Sequence, residues 1–228
     1  YLNDLWKYTP GTGEWTWESG SSTISAPGVY GTLGQAAPSN VPGARVSAVS
    51  WIDAAGNLWL FGGIGNDSTG AGGDLNDLWK YTPGTGEWTW ESGSSTISAS
   101  GVYGTQGQAV PTNVPGARYN AVAWIDAAGN LWLFGGAGNG STSSGYLNDL
   151  WQYTPGTGEW TWEGGSSTAY ALGVYGTLGQ AAPSNVPGGR WNAVSWTDTT
   201  GNLWLFGGDG FDSTGVSSVR NDLWRYQP

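Results

Sequence analysis

The chain repeats itself three times, and this repetition constrains its fold more than any other property of the sequence. Residues 2–63 and 75–136 are identical at 55 of 62 positions without a gap, and residues 147–208 form a third copy. Repetition at a fixed period is typical of chains whose copies fold as equal units and stack on their neighbours. The sequence therefore predicts one domain, residues 1–228, built from repeats 2–74, 75–146 and 147–218 with a partial fourth copy at 219–228.

The composition indicates a folded chain with few classes of partner. The 41 Gly and 11 Pro residues favour turns, while 17 Trp and 11 Tyr residues at regular positions can bury a large apolar surface. The formal charge of −10 repels phosphate groups and anionic lipids, and no apolar run is long enough to span a bilayer. We therefore expect neither a nucleic-acid partner nor membrane insertion. Because the sequence has no signal peptide and no initiator Met, we interpret it as a mature fragment or an excerpt of a longer chain.

Each repeat contains four runs with strand character, separated by turn residues. The runs are residues 45–53, 58–63, 75–83 and 88–90, and the longer segments 64–74 and 19–44 connect them. In the run "NLWLF" apolar residues occupy both faces, which indicates a strand covered on both sides. Four-stranded sheets stacked around an axis cover both faces of every strand. The pattern predicts an all-β propeller segment made of four-stranded antiparallel blades.

Three segments resemble the blade of kelch-repeat β-propellers: "RVSAVSW" from Arg45, "NLWLFGG" and "NDLWKYTPGTGEWTW". The resemblance is closest to the long-repeat kelch-like sequences of secreted bacterial proteins, which are similar to the central domain of galactose oxidase. It implies an extracellular or cell-surface location in a bacterium. Two departures stand out. Ala48, Ala121 and Ala193 occupy a position that is often His in kelch blades, and the repeat of about 73 residues exceeds the usual ~50.

The missing residue types exclude most catalytic chemistry. Without His or Cys the chain has no Ser–His or Cys–His nucleophile and no imidazole or thiolate metal site. The copper chemistry of galactose oxidase, which needs His and a Cys-linked Tyr, therefore cannot carry over. Asp67, Asp209 and Asp212 are candidates for a general acid and base, or for binding a ligand. The loops "GNDSTG" and "GFDSTG", which contain Asp67 and Asp212, could hold Ca²⁺, with solvated turns as the alternative. We expect no enzymatic activity and no cofactor.

One face of the predicted propeller carries the candidate binding residues. In an antiparallel blade the two longer connections emerge on the same side, and loops on a rigid scaffold often bind ligands. The residue after the first Arg of each copy varies as Val46, Tyr119 and Trp191. We predict that Tyr119 and Trp191 bind a ligand, for example by stacking on a sugar ring. Drift in tolerant loops is the alternative.

Arg45, Arg118 and Arg190 recur once per repeat at the start of the first strand. They have two interpretations. A buried Arg can tie strands together through charge-assisted hydrogen bonds to carbonyl groups or Asp. A ring of Arg around a channel can instead capture an acidic ligand, which would make all three ligand-binding residues.

The count of strands leads to an expectation about assembly. The chain supplies thirteen predicted strands, in successive groups of two, four, four and three, while propellers close with about four to eight blades. We expect either an excerpt of a longer chain with at least six blades, or copies joined through the repeated "NDLW" strand as a ring or fibre. The function expected is a non-catalytic scaffold that binds protein or itself. A lectin-like glycan-binding propeller is the alternative, and a polysaccharide-acting enzyme is a remote one.

Overall fold

A computed structural model describes all residues from 1 to 228 and contains only β-structure. None of its elements is a helix that could cross a membrane. The nineteen strands are β1 (Leu5–Thr9), β2 (Glu14–Ser19), β3 (Ala36–Ala37), β4 (Arg45–Val46), β5 (Val49–Ile52), β6 (Leu58–Asn66), β7 (Gly72–Thr82), β8 (Glu87–Ser92), β9 (Arg118–Tyr119), β10 (Val122–Ile125), β11 (Leu131–Asn139), β12 (Ser144–Thr154), β13 (Glu159–Gly164), β14 (Arg190–Trp191), β15 (Val194–Thr197), β16 (Leu203–Phe206), β17 (Asp209–Phe211), β18 (Ser217–Val219) and β19 (Leu223–Tyr226).

The strands form one hairpin and three larger antiparallel groups. Strands β1 and β2 form the N-terminal hairpin. Sheet I has the order β3-β8-β7-β6, with β4 and β5 both paired to β6, and sheet II has the order β10-β11-β12-β13, with β9 paired to β11. Sheet III consists of two ladders, β14-β17-β18 and β15-β16-β19, and has no strand equivalent to β8 or β13. The prediction of an all-β, antiparallel chain is therefore confirmed.

The hydrophobic core lies between consecutive sheets. Trp51 and Phe61 of sheet I pack with Trp151 and Trp160 of sheet II. A second cluster joins sheet II to sheet III, and a third places Leu5 of the N-terminal hairpin against sheet I. Each sheet thus uses one face for the preceding group and the other face for the following group, which explains why "NLWLF" is apolar on both sides.

Hydrogen bonds also join consecutive sheets in the order I, II and III. The indole Nε1 of Trp51 donates to the carbonyl oxygen of Trp124 at 2.8 Å, and Trp124 Nε1 donates in turn to sheet III. Near the starts of the sheets, the Asn120 amide donates to the Ser47 carbonyl at 3.0 Å, and the Asn192 amide donates to the Asn120 carbonyl at 3.1 Å. At both junctions the Trp indole therefore donates to the following sheet and the Asn amide donates to the preceding sheet.

The segment 64–74 is not the long connection that the sequence predicted. Strand β6 extends to Asn66 and β7 begins at Gly72, so that only the turn 67–71 remains between them. Gly65 pairs directly with Gly73 across the two strands. The strand prediction ended too early because glycine is a poor strand former. Of the two predicted long connections, only the 19–44 type remains, held by a Val29–Val41 bridge.

A glycine pair forms a bulge in β6 and in β11, at a point where the next sheet lies close. In sheet II the register of β11 on β12 shifts between Phe134 and Gly136. Gly135 and Gly136 have φ angles of 63° and 93°, a region that favours glycine. A Cβ atom on Gly135 would lie 2.9 Å from the carbonyl oxygen of Arg190 in sheet III. The double glycine therefore serves both the bulge and the packing of one sheet on the next.

We predict that Gly135→Ala destabilises the chain by about 2–5 kcal/mol, since backbone strain and overpacking add. Gly129→Ala is the matched control, because Gly129 also has a positive φ of 85° but open space where the Cβ would lie. It should lose only the strain, about 1–2 kcal/mol. Urea unfolding of both variants measures the difference. Equal losses would show that close approach of sheets II and III is not what requires Gly135.

Candidate functional site

The three recurrent arginines are buried in ion pairs. Arg118 makes a bidentate contact with Asp149 at 2.6 and 2.7 Å, and both side chains are fully buried. The same guanidinium donates to the carbonyl oxygens of Gly116 and Gly135, each at 3.0 Å. Arg45 with Asp77 and Arg190 with Asp222 form equivalent pairs. This geometry supports the structural interpretation of Arg45, Arg118 and Arg190 and does not support a ligand-capturing ring, because their charges are already neutralised inside each sheet.

A tyrosine completes each ion pair. The Tyr103 hydroxyl donates to Asp149 Oδ2 at 2.6 Å, and Trp151 Nε1 donates to the same oxygen at 2.7 Å. Burial raises the pKa of Tyr103 well above its ordinary range, and the negative charge of Asp149 raises it further. The sequence interpretation missed these Asp and Tyr partners. Their signal was present, since "NDLW" and "GVYG" recur at nearly constant distance from each Arg.

Asp222, the acidic residue of the ion pair in sheet III, is ionised. Burial alone would raise the pKa of Asp222, but hydrogen bonds from Arg190, Trp224 and Tyr175 outweigh burial and lower that pKa to about 2. In sheet I burial again opposes ionisation of Asp77, and the charge and hydrogen bonds of Arg45 produce a net lowering of its pKa. These carboxylates are therefore structural anions.

The predicted loop carboxylates do not gather into one site. Asp67 Oδ1 accepts the backbone N–H groups of Thr69 and Ala71 at 2.7 and 3.0 Å, and so closes the turn 67–71. Asp212 closes the equivalent turn of sheet III, while Asp209 lies in β17. Sheet II separates Asp67 from the other two, and no group of three or more acidic side chains is positioned to hold a metal ion. The structure thus favours the turn interpretation for Asp67 and Asp212.

The two predicted aromatic residues do come together, within a larger group. The Tyr119 and Trp191 rings meet edge to face with centroids 6.0 Å apart, and Tyr146 stacks on Trp191 at 5.9 Å. Tyr170 and Phe211 contact each other at 5.7 Å, and both contact Tyr146. We call these five residues the aromatic cluster. It bridges sheets II and III.

The aromatic cluster is specific to certain copies. In the first repeat the positions of Tyr119 and Tyr146 hold Val46 and Asp74, and Phe211 stands where the other repeats have Asn66 and Asn139. Such aromatic replacements in near-identical copies are not required by the shared fold. Sequence reasoning found Tyr119 and Trp191 but missed the other members, because they lie on segments that only the fold brings together.

Two features of the aromatic cluster are unusual for packing alone. Tyr170 has a φ of 66°, a conformation that is strained for a bulky residue, and 54% of its surface is exposed. Trp191 Nε1 is buried and has no hydrogen-bond partner. The cluster therefore presents one exposed, fixed aromatic ring on a base of partly buried rings, and such a surface can stack on a flat apolar group.

No family model matches the sequence, and no curated protein matches it. Solved structures do match. One of them is YjhT, with a TM-score of 0.51 and 16% sequence identity over 94% of this chain. The match covers 56% of YjhT, so the chain spans little more than half of that protein's length. At this identity the likeness concerns the fold alone.

We predict that the chain loses stability as the pH falls from 3.8, the ordinary value for Asp, towards about 2, the pKa of folded Asp222. Above this pH range the stabilisation by Asp222 is complete, because its carboxyl group is ionised in both the folded and the unfolded chain. Within it the unfolded chain binds more protons than the folded chain, so acid favours unfolding. At concentrations where the chain is monomeric, the urea midpoint should fall steeply below pH 3.8, and Asp222→Asn should flatten part of that fall. A midpoint that stays constant or rises on acidification would contradict the role of Asp222 as a structural anion.

Proposed function

We propose that the chain is a non-catalytic interaction scaffold at a cell surface or outside the cell, built as a segment of a kelch-type β-propeller. The strand order supports this interpretation. Sheets I and II each contain the ladder of a four-stranded blade, β5-β6-β7-β8 and β10-β11-β12-β13, sheet III contains the equivalents of its first three strands, and consecutive sheets stack face to face. In this interpretation the N-terminal hairpin is half of a blade, sheets I and II are complete blades, and sheet III lacks its fourth strand.

The observation that carries the proposal is the exposure of the last sheet face. Trp51 and Trp124 are 5% and 6% exposed between sheets, while the equivalent Trp196 on sheet III is 54% exposed. Phe206 and Leu223 are likewise exposed where their counterparts are buried. Together with Trp204 these side chains line an apolar depression of about 630 Å³. Continuous apolar surface of this kind marks an interaction site.

The opposite end of the stack exposes the complementary face. Trp6, Tyr8 and Trp15 of the N-terminal hairpin are exposed. Their counterparts in sheets I and II are the buried residues Trp79, Tyr81, Trp88, Trp151, Tyr153 and Trp160. At the junction of sheets I and II, residues equivalent to one end face pack on residues equivalent to the other. The two ends therefore have the chemistry and shape to bind each other, so the scaffold binds repeats of its own type.

We predict that the 228-residue chain self-associates, with masses that are multiples of 23.8 kDa. Light scattering after gel filtration measures this. Trp196→Ser should shift the equilibrium to the monomer, because it removes a large apolar side chain from the end face. Leu33→Gln is the control, since Leu33 is exposed away from the ends and the second repeat has Gln106 there. A stable monomer at all concentrations would contradict the proposal.

The aromatic cluster favours glycan binding as a second function. Sugars offer flat apolar faces to aromatic rings, and the exposed ring of Tyr170 is held in place by Phe211. Because the equivalent residues Ser25 and Ser98 adopt the same positive φ, serine fits this backbone.

We predict that Tyr170→Ser reduces binding on a glycan array at least tenfold and leaves the melting temperature nearly unchanged, because about half of the residue is exposed and the other copies carry serine there. Tyr1→Ser, at another exposed tyrosine, serves as the control and should bind as the unaltered chain does. If no glycan binds, or if both variants bind equally, the aromatic cluster is not a sugar site.

A further inference from the structure

Two segments of this chain fit the same position in sheet III. Residues 221–226 read "NDLWRY" and residues 3–8 read "NDLWKY", so they differ only by Arg for Lys. In sheets I and II the equivalent segment is the third strand, β7 or β12, and in sheet III it is β19. The N-terminal hairpin carries the same strand as β1, with no first or second strand beside it. The chain therefore holds one more third strand than it has positions for.

The ion pairs show the same surplus, because the chain has one more equivalent aspartate than it has arginine partners. Asp77, Asp149 and Asp222 each accept hydrogen bonds from an Arg and from a Tyr. Asp4, the equivalent residue in β1, accepts a bond only from Trp6 Nε1, at 2.7 Å. There are thus four equivalent aspartates for three arginines. Asp4 lacks the Arg and the Tyr that sheet III supplies to Asp222.

The fourth strand shows what sheet III lacks. In sheet I the connecting segment binds β8, because the Gly34 amide donates to the Trp90 carbonyl at 2.8 Å and Asn40 Nδ2 donates to the Trp88 carbonyl at 3.1 Å. Tyr30 also packs edge to face on Trp90 at 5.2 Å. Sheet II repeats all three contacts with β13.

In sheet III the same connecting segment has no fourth strand to bind. Asn185 Nδ2 donates only to Gln180, within its own segment, and Tyr175 is 37% exposed where Tyr30 and Tyr103 are 5% and 6% exposed. The missing partner is a Trp-Thr-Trp strand. Strand β2 is such a strand, and its Trp15 and Trp17 are both exposed.

Strand β2 cannot enter sheet III without β1. The two strands are paired from Leu5–Ser19 to Thr9–Glu14 and are joined by a turn of four residues. The hairpin is also fixed to sheet I of its own copy, since Trp88 Nε1 donates to Ser19 Oγ at 3.0 Å and Asn3 Nδ2 to the Pro42 carbonyl at 3.0 Å. The hairpin therefore arrives as a rigid extension of sheet I, and its β1 requires the edge of β16 that β19 occupies.

We propose that sheet III takes up the N-terminal hairpin of a second copy of this chain, and that the incoming β1 replaces the resident β19. The proposal rests on the self-association proposed above and specifies its contacts: the face of Trp6 and Tyr8 packs on sheet II, where Trp224 and Tyr226 now pack, and the second copy's sheet I covers Trp196. The exchange conserves the ion pair, because Asp4 takes the place of Asp222 beside Arg190 and Tyr175. It adds the bonds from Gly179 and Asn185 to β2, and it covers Tyr175 with Trp17.

The backbone links between sheets continue across this junction. The Ser47 amide makes no hydrogen bond, and the Asn192 carbonyl accepts none. With the second copy's hairpin in sheet III, its sheet I stacks on sheet III. The Ser47 amide of the second copy can then donate to the Asn192 carbonyl, just as the Asn120 amide donates to the Ser47 carbonyl within one chain. Each copy contributes three blades to such an assembly, and two copies give six, within the four to eight at which propellers close. We therefore expect a closed dimer with two identical head-to-tail junctions.

A cysteine pair tests the junction directly, because the chain has no cysteine of its own. Ala36 pairs with Thr89 between the connecting segment and the fourth strand of sheet I. The equivalent pair at the junction is Ala181 with Thr16 of the second copy. The double variant Thr16→Cys, Ala181→Cys should form a covalent dimer on mild oxidation. The control Thr16→Cys, Ala109→Cys should not, since β13 already fills that position in sheet II.

The two matched aspartates test the exchange. Asp4→Asn should weaken the dimer at least tenfold, because the incoming strand loses its charge partner, whereas Asp222→Asn should leave the dimer intact or strengthen it. Two results would overturn the exchange but leave the self-association standing. One is a dimer that Asp222→Asn weakens and Asp4→Asn does not, and the other is a dimer in which the Thr16→Cys, Ala181→Cys variant forms no disulfide. A monomeric chain without cross-links would overturn both.

Discussion

The buried Arg–Asp–Tyr group is the interaction on which each sheet depends. A buried charge is costly unless it is paired and fully hydrogen-bonded, and the Arg118 group meets both conditions with Asp149 and two backbone carbonyls. It joins three segments that are distant in sequence: Arg118 from the first strand, Asp149 from the third, and Tyr103 from the long connection. The connection lengthens the repeat, and it also supplies the tyrosine that closes the group.

The same group explains how copies of one sequence can be interchangeable. Because every third strand carries the same Asp and every first strand the same Arg, a sheet recognises its third strand by chemistry that all copies share. In sheets I and II, only the connection along the chain determines which third strand, β7 or β12, pairs with which second strand. In sheet III the resident strand β19 lacks a fourth strand beside it, and the N-terminal hairpin offers the same Asp together with that fourth strand. If β1 of a second copy replaces β19, every contact it makes in sheet III is of a type that sheets I and II already contain.

Much of the fold could be predicted from the repeated pattern, because aromatic residues at fixed spacing leave few alternatives to stacked antiparallel sheets. The continuation of β6 beyond Gly63 could not, since two glycines usually end a strand and here form a bulge within it. Tyr119 and Trp191 were found because they differ between copies. Tyr146 and Phe211 differ as well, but their proximity depends on how hairpins of sheets II and III face each other, which no local pattern encodes.

An experimental structure of the assembled chain at high concentration is the most direct test of the strand exchange, because it identifies the partner of Arg190. We expect the Arg190 guanidinium to be paired with Asp4 of a second copy, with residues 221–228 released from sheet III and Trp196 buried against the second copy's sheet I. Arg190 paired with Asp222 of its own chain, with Trp196 and Trp15 facing solvent, would contradict the exchange.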